Sequence, residues 1–76
     1  MTGADRIEIS DKALVWARAD AKRRDLRKRY QAAKAGGHAA VITKARNSYL
    51  SAASSAAGHR RGLVSMCAVV LARGVD

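Results

Sequence analysis

Between Arg18 and Lys34 the chain carries eight basic side chains and only two acidic ones. Arg18, Lys22, Arg23, Arg24, Arg27, Lys28, Arg29 and Lys34 are groups whose chemistry is anion binding. A guanidinium presents a planar fork of donors that fits two oxygens of a phosphate or carboxylate at once, and an ammonium acts as a point charge. On a polyanion, each neutralised phosphate releases counterions, so binding is tight at low salt and weakens steeply as salt rises. A solvated helix face normally mixes the two signs, and this stretch does not. Arg60 and Arg61 form a second basic spot beside His59. These ten cations are the candidate contacts for nucleic acid, DNA or RNA, or for an acidic protein surface.

Other chemistry is poorly represented. The chain has no phosphate-binding glycine loop, no paired carboxylates set among apolar residues and no zinc-like spacing of His and Cys. No metal, cofactor or enzymatic activity is expected. Cys67 lies among apolar residues and reads as a small hydrophobe. As the only cysteine, it fits a reducing compartment. Base stacking needs exposed aromatic rings. The chain has three aromatic residues, Trp16, Tyr30 and Tyr49. The two tyrosines fall on helical core stripes, and Trp16 sits at a stripe's edge, as packing or as an interface anchor. Any nucleic-acid contact should therefore be made mainly to the backbone.

The elements that position these residues are helices. The 76 residues include 17 alanines and no proline, and the basic residues are themselves good helix formers. One small helical domain over residues 1–76 is expected, all-α, built as an antiparallel hairpin of two long helices. Arg6 to Ser10 alternates polar and apolar, which suggests a short extended arm over residues 1–9. Ser10 would cap a basic helix over about 10–35, with Asp11 in its first turn. Val15, Ala19, Leu26, Tyr30 and Ala33 share one stripe at 100° per residue. Asp20 with Arg24 and Asp25 with Arg29 form i,i+4 pairs of the favourable orientation. Gly36 and Gly37 end the helix.

From about residue 38 to 73, Ile42, Ala45, Tyr49, Ala52, Ala56, Leu63, Met66 and Val70 repeat at alternating intervals of three and four. His59 takes the one polar place in the series. The phase passes unbroken through Gly58 and Gly62, which supports a continuous second helix. The alternative breaks it there and makes a three-helix bundle. The small residues from Ser51 to Gly58 suit a close helix–helix contact. With unequal arms, Leu63, Met66, Cys67, Val70 and Leu71 would extend past the first helix. These residues are then the expected oligomer interface, in a homodimer.

The formal charge is +9, which draws polyanions and acidic surfaces. Residues 63–72 are apolar but about half the length that spans a bilayer. No basic and apolar leader is visible at the start. A cytoplasmic protein is expected, with membrane association disfavoured. The expected function is a small regulatory nucleic-acid-binding protein. The alternative is an interaction module, such as an inhibitor or adaptor, whose basic helix docks on an acidic partner.

Overall fold

The computed structural model describes residues 2–73. They form two helices of equal length, α1 (Gly3–Gly36) and α2 (Ala39–Ala72), packed along each other as an antiparallel hairpin. The molecule is a rod of 57 × 16 × 12 Å.

The predicted extended arm is part of α1, and its predicted cap at Ser10 lies inside the helix. The start is set by a capping box at Thr2. The Asp5 N–H donates to Thr2 Oγ1 at 3.1 Å, and the Thr2 N–H donates to Asp5 Oδ2 at 3.3 Å. Two of the helix's orphan donors are satisfied at once, and Asp5 puts negative charge at the positive end of the helix dipole. In a strand, Ile7 and Ile9 would share a face. In the helix they diverge: Ile9 is half-buried, and Ile7 is 65% exposed.

The turn follows the double glycine. Gly37 adopts φ +76°, the left-handed region that favours glycine, and its N–H donates to the Ala33 carbonyl at 3.2 Å. His38 opens α2 in an extended conformation without a side-chain cap. Helix α2 then runs unbroken through Gly58 and Gly62, so the three-helix alternative does not form.

The covered positions on α1 are Asp5, Ile9, Lys12, Trp16, Ala19, Arg23, Leu26, Tyr30 and Ala33, with Ala13 and Asp20 beside them. On α2 they are Ile42, Ala45, Tyr49, Ala52, Ala56, Leu63, Met66 and Val70, with Ala53 and Cys67 beside them. Both series alternate three and four residues, a period of 3.5, which is that of a coiled coil rather than of a straight helix. The difference decides one residue. A straight helix aligns Val15 with Leu26, but Val15 is 44% exposed and Trp16 occupies the seam.

Two cross-helix contacts define the register. The Tyr30 and Tyr49 rings stack with centroids 6.0 Å apart and planes 20° apart. At the open end, Arg73 Nη2 donates to Asp5 Oδ1 at 3.0 Å. The arms are therefore equal, and the end of α2 is not left over. Val70 is buried, and Leu63, Met66 and Cys67 are half-buried against α1; only Leu71 of the predicted interface stands free, at 66% exposure. The mistaken start of α1 is the source of that error. The core is thin. Ala52, Ala56 and Val70 alone are buried among the described residues, and two of them are the small residues of the expected close contact.

Candidate polyanion-binding surface

The hairpin sorts charge along its length. The half next to the turn, residues 18–57, carries ten basic and two acidic side chains. The described part of the open half, residues 2–17 and 58–73, carries five basic and three acidic ones. Folding the chain back on itself adds Lys44 and Arg46 of α2 to the cations of α1. Sequence reading passed over these two, although the antiparallel pairing of the arms implies that they flank the last turns of α1. Helix α2 contains no acidic residue to offset them.

Both acids of the turn half are engaged within α1. Asp20 accepts from Arg23 Nε at 2.9 Å through Oδ1, and from Arg24 Nη2 at 2.6 Å through Oδ2. The Arg23 Nη2 also reaches Asp20 Oδ1 at 2.8 Å. The Arg23 hydrogen bond, helped by Arg24, holds the Asp20 carboxyl below the usual carboxylate range. Asp20 in turn raises the Arg23 guanidinium, with a smaller contribution from the Tyr49 hydroxyl. Arg29 pairs with Asp25 at 3.2 Å on the exposed side. These are the expected i,i+4 pairs, with Arg23 added to the first. Lys34 places Nζ 4.3 Å from the centre of the Tyr30 ring, a cation–π contact. Arg18, Lys22, Arg27 and Lys28 are exposed and have no ion pair among the described residues.

Two shallow depressions run along one side. One lies on α1 and is lined by Arg23, Arg24, Arg27, Lys28 and Gln31. The other lies between the helices, where Trp16, Arg23, Arg60, Arg61 and Val64 meet over a floor of alanines. They share Arg23. The two basic spots of the sequence therefore form one run along the rod, from Arg60 and Arg61 through Arg23 to Lys28. Antiparallel pairing outward from the turn sets Arg60 and Arg61 beside Trp16, and because α1 begins at Gly3 they lie well inside it rather than near or beyond its N-terminal end.

His59 is exposed, and Cys67 is a half-buried free thiol. No group of three His, Cys, Asp or Glu side chains among the described residues is arranged to hold a metal ion. No described helix is long and apolar enough to cross a membrane. Comparisons with protein-family models, with curated proteins and with solved structures find no match.

Proposed function

We propose that this protein is a small, non-enzymatic regulatory protein that binds nucleic acid by phosphate contacts, and that it works in the cytoplasm. The observation that carries the reading is the turn half, whose ten basic groups face two acids already held by arginines of the same helix. Arg27 and Lys28 are the primary contacts on this side, since nothing in the fold competes for them; Arg18 and Lys22 are equally free among the described residues but lie outside these two depressions, Lys22 on the other groove between the helices. Arg23, Arg24, Arg29, Lys34, Arg60 and Arg61 extend the surface. A straight basic rod lies along a duplex backbone or a folded RNA without entering a groove. The recognition is therefore of charge and shape more than of base sequence.

The test is fluorescence anisotropy of labelled random DNA and RNA at about 50 and 200 mM salt. Several phosphate contacts weaken binding by roughly 10³-fold across that range. Arg27→Glu with Lys28→Glu should abolish binding while circular dichroism stays helical. Unchanged binding by that variant rejects this surface.

A second reading draws on the groove beside Trp16. An aromatic ring and Val64 flanked by Arg23, Arg60 and Arg61 suit an acidic, partly apolar protein segment. Absence of nucleic-acid binding even at low salt would favour it.

A further inference from the structure

The seam between the two helices leaves a groove on each side, and the two differ in chemistry. One holds about 640 Å³ and is lined by Lys22, Asn47 and three serines. The other holds about 660 Å³ and is lined by Trp16, Arg23, Arg60, Arg61 and Val64. Both fall within the ~300–1,000 Å³ of ordinary ligand sites. Only the second sets an aromatic ring among guanidinium groups.

Local sequence makes this second groove. The coiled-coil period carries Trp16 into the seam, where it is half-buried. Opposite the ring, α2 offers Ala53, Ala56 and Ala57, whose methyl groups leave a hollow that larger side chains would fill. Arg60, Arg61 and Val64 follow within two turns along the same wall, and Val64 is 58% exposed. Arg60 and Arg61 are exposed and have no ion pair among the described residues. The one acid lining the groove, Asp20, is held by Arg23 and Arg24.

We infer that this groove takes one unpaired nucleobase of a nucleic-acid strand, seated on the Trp16 ring and the alanine floor, with Arg60 and Arg61 on the phosphates beside it. The inference rests on the nucleic-acid reading and narrows it to ligands with single-stranded character. A cationic groove with an aromatic platform suits a single strand of any sequence, because every base has a π-face. A duplex keeps its bases stacked inside and meets only the cations. Continuity favours a strand over an acidic protein segment. Through Arg23 the groove runs into the depression of Arg24, Arg27 and Lys28. From Trp16 to Lys28 the run is about 18 Å at 1.5 Å per residue, the length of about five nucleotides at 3.4 Å each. A strand places a phosphate at every step of that run, whatever its sequence.

The experiment uses the full chain, whose single tryptophan reports on the groove directly. Trp16 fluorescence, excited clear of the tyrosines, is titrated with strands of about twelve nucleotides. The probes are a random single strand, as DNA and as RNA, its duplex, and a DNA strand of abasic sugars with the same phosphates. The single strand should quench Trp16 and bind roughly tenfold tighter than the abasic strand, the worth of one stacked base. The duplex should bind by anisotropy without the quench. Ala57→Leu fills the groove at an exposed position without changing charge or helix propensity much. It should remove the quench and the tenfold advantage, and leave duplex binding and its salt slope unchanged. Salt-steep duplex binding with no quench by either single strand overturns the inference and leaves the nucleic-acid reading standing. So does equal binding of abasic and base-bearing strands, or a helical Ala57→Leu chain with the wild-type quench. If that variant loses its helix, the abasic comparison on the wild-type chain decides. Failure of every probe at about 50 mM salt overturns both readings. Quenching by an acidic peptide of glutamate and leucine, and not by the single strand, gives the groove to a protein segment.

Discussion

Asp5 and Arg73 are 68 residues apart in the chain and joined by a 3.0 Å ion pair that ties the first turn of α1 to the end of α2. The same carboxylate closes the capping box with Thr2. One side chain thus starts the first helix and clasps the open end of the hairpin.

Acid should loosen that clasp. The Thr2 backbone N–H, aided by the Thr2 hydroxyl and Arg73, holds the Asp5 carboxyl below its ordinary 3.8. The Arg23 and Arg24 bonds hold Asp20 below the same value. A carboxylate whose folded pKa is depressed contributes stability that is present above 3.8 and lost as pH falls through the lower folded value. Both groups are near the surface, so the loss is modest. Melting temperature should be flat from pH 7 to about 5 and fall below pH 4. Asp5→Asn with Asp20→Asn should flatten the acid limb, and an unchanged limb would show that these carboxylates are not its source.

The glycines of α2 weaken the hairpin without serving its geometry. A methyl group at Gly62 meets nothing within 4 Å, and one at Gly58 meets only the Arg61 guanidinium at 3.9 Å. Gly58→Ala and Gly62→Ala should each stabilise the fold by about 1 kcal/mol in thermal denaturation. Gly37→Ala should do the reverse by about 1 kcal/mol, because alanine adopts a φ of +76° only with strain. A destabilised Gly62→Ala would mean that α2 needs to bend there.

The tyrosine pair should be energetically coupled. In a double-mutant cycle with Tyr30→Leu and Tyr49→Leu, the stacked rings should show an interaction of about 1 kcal/mol. Additive effects would reduce the contact to simple coverage.

Asp20 should restrain the basic surface. It occupies the guanidinium groups of Arg23 and Arg24, which phosphate would otherwise take. Asp20→Asn should tighten nucleic-acid binding several-fold at 50 mM salt and steepen the salt slope by about one. Weaker binding in a folded variant would instead make Asp20 a positioning residue for the two arginines.

The features legible in the sequence are those set by neighbours along the chain. Alanine and arginine content without proline makes helix, Gly36 and Gly37 make the turn, and Asp20 and Asp25 reach the arginines four residues on. The apolar series from Ile42 to Val70 was also readable, because its alternation of three and four survives both glycines. Thr2 and Asp5 were local too, but the alternation around Ile7 and Ile9 fits a strand equally well, and that masked the cap. Only the tertiary structure decided which face of α1 is covered. Packing against a second helix sets the period at 3.5, so Trp16 enters the seam and Val15 leaves it. Register then did the rest. Setting Asp5 against Arg73 and Tyr30 against Tyr49 brings Arg60 and Arg61 to Arg23. It also gathers the cations into one half of the rod, because antiparallel pairing joins residues by their distance from the turn rather than by their distance along the chain.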